Sequence, residues 1–137
     1  MQLILVIYFM FRAHFFQKDK GGKWYIFHPI HVSMNVSGYK EKIVALLHDV
    51  VEDSNYTFSD LERYFNKDVM DALKLITKDK NIDYFDYLSN IKNNEISRKV
   101  KLEDLRHNIQ EKRLKVITEK DILRINKYKE AINFLKK

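Results

Sequence analysis

The chain has 137 residues, 45% of them hydrophobic and 32% charged, with 25 Lys and Arg against 19 Asp and Glu for a formal charge of +6. That length suits one domain, and the apolar share suffices for a core, which excludes a disordered chain and a two-domain enzyme. Three Gly, one Pro and no Cys exclude a barrel or sandwich of many short strands, disulfides, thiolate nucleophiles and Cys-based metal sites. Any metal must therefore use His and carboxylate ligands.

The apolar run from Leu3 to Phe11 ends at Arg12. It is shorter than the roughly 20 residues of a membrane span, and no Lys or Arg precedes it as in a secretory signal. It reads as a first helix buried on several faces, continuing to Gln17 and breaking where the paired glycines Gly21 and Gly22 supply turn freedom. A second helix opens near His28-Pro29, since Pro is tolerated in a first turn, and ends about Gly38. Residues 39–53 read as one helix with Ile43, Leu46, Leu47 and Val50 on a buried stripe. Thr57 with Asp60 caps a short helix through Phe65. Helical patterns follow over 68–77, 82–93 and 97–113, and Thr118 with Asp121 caps a last helix to about Leu135. No strand, repeat or linker is visible, so residues 1–137 are expected to form a single all-α domain of about seven helices.

The positive surplus favours an anionic partner. The basic residues are spread over the second half, and the aromatics are not interleaved with them as in RNA-binding surfaces. A phosphorylated small molecule is expected rather than nucleic acid or a membrane. The absence of Cys fits a cytoplasmic protein.

The informative segment is His48-Asp49-Val50-Val51-Glu52-Asp53. On a continuous helix of about 3.6 residues per turn, His48 lies over Glu52 and Asp49 over Asp53. Ionisable groups crowded beside an apolar face are costly unless a divalent cation pairs with the carboxylates and takes a neutral imidazole nitrogen; a solvated helix end is the alternative. His28 precedes Pro29 at a helix start. Asp104, flanked by Val100, Leu102 and Leu105, borders the interior and needs a cation, a guanidinium or several donors. His14 and His31 read as structural, and Trp24, Tyr25 and Phe27 as a core lid.

The pattern of His28, then His48-Asp49, then Asp104 resembles the HD superfamily of metal-dependent phosphohydrolases. The wider run narrows the likeness: Ala13-His14, Gln17, Lys20, Gly22, Tyr25-Ile26, His28-Pro29, Ala45 to Asp53, Thr57, Asp60-Leu61, Leu75-Ile76-Thr77, Val100-Lys101-Leu102, Asp104 and Asn108. Together these resemble the hydrolase domain of RelA/SpoT homologues, in particular the small stand-alone alarmone hydrolases. The resemblance implies an HD-type helical bundle that removes the 3′-pyrophosphate from guanosine tetra- or pentaphosphate. It implies one divalent ion, usually Mn²⁺, held by His28, His48, Asp49 and Asp104. No His lies between Asp49 and Asp104, unlike in the binuclear members, so a mononuclear site is expected.

By the same resemblance Glu52 and Asp53 act as general base and orienting group on the attacking water. Lys20, Lys80, Asn108, Arg124 and Tyr128 match substrate-contacting positions, and Arg124 and Tyr128 share one helix face at their i, i+4 spacing. The chain departs from the family pattern where Asp19 replaces a base-stacking Arg, Trp24 a Pro and Glu103 a small residue, and where Gly21-Gly22 lacks the usual Ser. Loss of the stacking cation weakens guanine recognition. Two other readings stay open: an HD-type nucleotidase acting on deoxynucleotides or other phosphoesters, and a non-catalytic module that senses a nucleotide. A homo-oligomer is compatible with all three.

Overall fold

The computed structural model describes residues 2–14, 17, 24–112 and 118–137. Within them the backbone forms α1 (Gln2–His14), α2 (Phe27–Met34), α3 (Tyr39–Leu47), α4 (Val50–Asp53), α5 (Phe58–Glu62), α6 (Lys67–Ile76), α7 (Tyr84–Lys92), α8 (Glu95–Lys112) and α9 (Glu119–Lys136), with no β-strand among the described residues. The all-α expectation holds. The predicted turn at 18–23, with Asp19 and Lys20, lies outside the described residues.

The caps read from sequence form as local chemistry dictates. Asp60 N–H donates to Thr57 Oγ1 at 3.3 Å while Thr57 N–H donates to Asp60 Oδ2 at 2.8 Å, and Thr118 with Asp121 makes the same reciprocal pair. Each box satisfies two amides left over at a helix start. Asn66 and Asp83 cap α6 and α7 in the same sense. Gly38, before α3, has φ 98°, and a Cβ there would meet the Glu41 carboxylate at 2.1 Å, so only glycine fits this entry to α3.

Helix α3 is the axis of the core. Ile43, Val44, Ala45, Leu46 and Leu47 are all buried, because α1, α2, α6 and α8 pack around the helix on every side. The expected single stripe is thus a helix buried all round over its last five residues, while Tyr39 at its start is exposed; each buried large aliphatic side chain contributes about 1.5–3 kcal/mol. Helix α1 differs in the opposite sense. Val6, Phe9 and Met10 are buried, whereas Ile4 and Tyr8 are 70% and 52% exposed, so it is buried on one face only.

Two boundaries differ from expectation for identifiable reasons. α2 ends at Met34 rather than near Gly38, because Asn35 turns back, its N–H donating to Val32 O at 3.1 Å and its side-chain amide to His31 O at 2.9 Å. The 39–53 helix is broken at His48-Asp49 into α3 and α4. There the His48 imidazole Nδ1 takes the carbonyl of Ala45 at 2.5 Å, and Asp49 leaves helical geometry at φ −107°, ψ 1°. A side chain replaces the backbone as that carbonyl's partner, and the chain kinks where its chemistry is concentrated.

Candidate metal centre

Three helices bring the predicted ligands together. His28 comes from the first turn of α2, His48 and Asp49 from the kink after α3, and Asp104 from the middle of α8, held inward by buried Val100, Leu102 and Leu105. One ligand atom each of His28, His48 and Asp104 lies within 4.8 Å of the others. His28 Nε2 is 2.7 Å from Asp104 Oδ1, and His48 Nε2 is 3.1 Å from Asp49 Oδ2 and 3.4 Å from Asp104 Oδ1. His28, His48 and Asp104 are buried, and Asp49 is partly so.

The donor set fits a divalent cation. The Ala45 carbonyl can only accept, so His48 carries its proton on Nδ1, and Nε2 of the neutral ring is a lone pair. That lone pair is buried and has no hydrogen-bond partner among the described residues, and the oxygens of Asp49 and Asp104 lie 3.1 and 3.4 Å from it. Two imidazoles and two carboxylates suit an oxygen- and nitrogen-binding divalent ion and leave positions for water and a phosphate oxygen.

A shell of donors orients these groups. Lys101 Nζ donates to Asp104 Oδ2 at 2.9 Å, leaving Oδ1 to the histidines, and Asn108 Nδ2 reaches Oδ1 at 3.4 Å. The Tyr25 hydroxyl donates to Asp49 Oδ2. His28 Nδ1 lies 2.6 Å from Nδ1 of His107, whose ring stacks between His28, at 4.9 Å, and His31, at 4.0 Å. Glu52 accepts from the Lys78 N–H at 2.7 Å. Asp53 accepts from Gln17 Nε2 at 3.4 Å, and Gln17 Oε1 in turn accepts from His14 Nδ1 at 2.8 Å.

The charges follow. Burial pushes the Asp49 carboxyl well above the usual carboxylate range, and Asp104, Asp53 and Glu52 add to the effect. Burial also opposes ionisation of Asp104, but the Lys101 ammonium beside it overcomes this and holds that carboxyl well below the usual range. Burial would lower Lys101, yet Asp104 keeps it charged. Two adjacent carboxyls thus share too little positive charge for both to ionise without a further cation.

Beside this cluster opens a cavity of about 220 Å³ lined by His48, Asp49, Glu52, Lys101, Asn108 and Tyr128, with Lys78, Tyr84 and Lys127 on the same wall. A larger one of about 810 Å³ lies along α1 with Arg12, Arg63, Asp53 and Asp60; it touches none of the three clustered ligands, so the chemistry belongs to the smaller cavity. Of the expected substrate contacts, Asn108 and Tyr128 line the cavity. Lys80 is exposed in the turn before α7 and does not line it, and Arg124 lies near enough to influence Tyr128 without lining it. Lys20 lies outside the described residues.

Sequence reasoning did not assign roles to Lys78, Tyr84, Lys101, His107 or Lys127. Lys101 stands three residues before Asp104 and His107 three after it, a spacing that places both on the ligand's own helix face; Lys78, Tyr84 and Lys127 carried no such signal. His14 and His31, expected to be structural, both touch groups around the site, His14 through Gln17 and His31 through the His107 ring. Tyr25, read as part of a core lid, holds a carboxylate.

A helical bundle in which a His from one helix, a His-Asp pair from a second and an Asp from a third converge is the architecture of the HD-type hydrolases, and this fold is of that type. Over about half of its length the chain is similar in sequence to alarmone hydrolases. It is 39% identical over 72 residues to the guanosine-3′,5′-bis(diphosphate) 3′-pyrophosphohydrolase MESH1 of Xenopus tropicalis, a match covering 48% of this chain and 40% of that protein. It is 36% identical over 70 residues to the bifunctional (p)ppGpp synthase/hydrolase SpoT of Escherichia coli K12, covering 48% of this chain and 10% of that protein. The chain thus spans two fifths or less of these curated relatives. Its fold matches a solved metazoan orthologue of SpoT, described as hydrolysing ppGpp and acting in starvation responses, with a TM-score of 0.80 over 98% of this chain and 84% of that one, at 22% identity. No family model matches the chain. No described helix is long and apolar enough to cross a membrane.

Proposed function

We propose that the chain is a divalent-metal-dependent, Mn²⁺-preferring hydrolase that removes pyrophosphate from the 3′ position of guanosine tetra- or pentaphosphate. The observation that carries this reading is the buried His48 Nε2 lone pair, 3.1 Å from Asp49 and 3.4 Å from Asp104 and without a hydrogen-bond partner among the described residues. His28, His48, Asp49 and Asp104 would hold the ion. A bound ion supplies charge neutralisation at the phosphorus oxygens and acidifies water.

The chain's own residues do the rest. Glu52, held by the Lys78 N–H through one oxygen, keeps its other oxygen to take a proton from the attacking water. Asp53, held by Gln17, orients that water. The water oxygen bonds to the phosphorus, the bond from phosphorus to the ribose 3′ oxygen breaks, and the 3′ oxygen leaves with the proton that Glu52 removed from the water. Asn108 and Tyr128 line the wall beside the ion and position the nucleotide. The names of the relatives support this substrate, and the surplus of Lys and Arg suits its charge.

The test is release of pyrophosphate from guanosine tetraphosphate by purified chain with Mn²⁺. Asp104→Ala should abolish it, and Glu52→Gln, which keeps an acceptor for Lys78, should slow it by about 10²- to 10⁴-fold. No release by the wild type, or undiminished release by Asp104→Ala, refutes the proposal.

A further inference from the structure

Resting on that reading, we propose that Tyr84 is a ligand-contacting residue whose hydroxyl donates a hydrogen bond to a phosphate oxygen of the nucleotide, with the Lys127 ammonium beside it attracting the same charge. Tyr84 is the first residue of α7, fixed by the Asp83 cap before it. Its ring packs on Tyr87 at 5.9 Å and carries Lys127 Nζ over its face at 4.0 Å. It lines the cavity that holds Glu52, Asn108 and Lys101.

The hydroxyl is the unusual feature, being buried without a hydrogen-bond partner among the described residues. Buried hydroxyls are nearly always paired, because an unmade bond leaves the full desolvation cost standing. The neighbouring Tyr87 obeys this rule, donating to the Ile76 carbonyl. Burial pushes Tyr84 above the usual phenol range, so it stays a donor and calls for an acceptor.

The surrounding cations identify that acceptor. Lys101 is committed to Asp104, and Lys78 Nζ to the carbonyls of Asp79 and Ile82 at 3.2 and 2.9 Å. Lys127 forms no ion pair among the described residues and rests on the Tyr84 ring. A donor hydroxyl beside an uncommitted ammonium is suited to an anionic oxygen rather than to a base edge or a sugar hydroxyl.

Tyr84→Phe separates function from folding, since it keeps the ring, its packing and its contact with Lys127 and removes only the hydroxyl. In the Mn²⁺-loaded full chain, calorimetry with inorganic pyrophosphate should show binding weakened by about tenfold, and KM for guanosine tetraphosphate should rise by about the same factor. The melting temperature should stay level or rise, because an unpaired buried group has been deleted.

Pyrophosphate affinity within about twofold of wild type overturns the assignment, as does a melting temperature lowered by more than about 3 °C, which would mean the hydroxyl is bonded within the fold. Wild-type chain that binds no pyrophosphate overturns it as well. Wild-type chain that binds pyrophosphate but does not cleave the nucleotide refutes the hydrolase reading alone, and the calorimetric comparison still decides the role of Tyr84.

Discussion

Replacing Lys101 by Met tests whether the buried charges of the site stabilise one another. The ammonium lies 2.9 Å from Asp104 Oδ2, with the two side chains only 16% and 6% exposed. At that separation and an effective dielectric of about 20, the attraction is about 6 kcal/mol before desolvation is subtracted. Met keeps the aliphatic stem and removes the charge, so the Asp104 carboxylate loses a partner while remaining buried. Truncating one member of such a pair costs about 3–5 kcal/mol. Asn108 Nδ2, 3.4 Å from the other oxygen, remains as a donor, which puts the expected loss near the lower bound, about 3 kcal/mol. In a domain of this size about 1 kcal/mol moves the melting temperature by about 3–5 °C, so a fall of about 10 °C is expected in chelator-treated protein. The double variant Lys101→Met with Asp104→Leu removes both charges and should regain at least about half of the loss. Urea titration of the wild type, both single variants and the double variant measures all the terms. A Lys101→Met chain within about 1 kcal/mol of wild type, or a double variant no better than the sum of the singles, refutes the reasoning.

His107 should act on metal binding. By accepting the Nδ1 proton of His28 at 2.6 Å it leaves Nε2 free for a cation, so His107→Ala should weaken Mn²⁺ binding by about 10- to 100-fold in competition with a chelator; unchanged affinity counts against it. Tyr87 should govern alkaline stability. Burial, chiefly, with help from Asp104 and Glu52 and against Lys101, raises its pKa to about 12. The folded value lies above the unfolded value of about 10, so the stability this group contributes is complete below about pH 10 and is lost as pH rises through about 12. The stability difference between wild type and Tyr87→Phe, from denaturant titrations at about pH 9 and about pH 12, should therefore shift by about 2 kcal/mol against the wild type. A difference that does not change with pH refutes it.

Both capping boxes could be read in the sequence because each involves residues three apart, and the hydroxyl and carboxyl need nothing else to form them. The helical class was readable for a similar reason, since apolar spacing and scarcity of Gly and Pro act locally. The face that α1 buries was not, because an unbroken apolar run states how much can be buried and not which side meets the core; Ile4 and Tyr8 turned outward. Nor was the kink at His48, where the imidazole competes with the backbone for the Ala45 carbonyl. A periodicity argument sees only positions, and here a side chain changed the geometry on which the positions depend.

The same distinction separates the ligands from what holds them. His28, His48, Asp49 and Asp104 stand out in the sequence through their resemblance to the HD pattern, with the cost of an acid or imidazole at the edge of an apolar interior as support. Tyr25 donates to Asp49 across 24 residues, Gln17 to Asp53 across 36, and His28 meets His107 across 79. A hydroxyl, an amide or a second imidazole could serve each of these tasks, so nothing in the local spacing marks the residue that does. The chemical step is therefore legible from residue type, whereas orientation and selectivity are properties of packing. The cavity wall illustrates this: Lys80 is exposed in the turn before α7, while Lys78, Tyr84 and Lys127 reach the cavity. If the proposed reading is right, substitutions on the wall built by α7, α8 and α9 should alter which phosphorylated ligand binds without disturbing the His and Asp cluster.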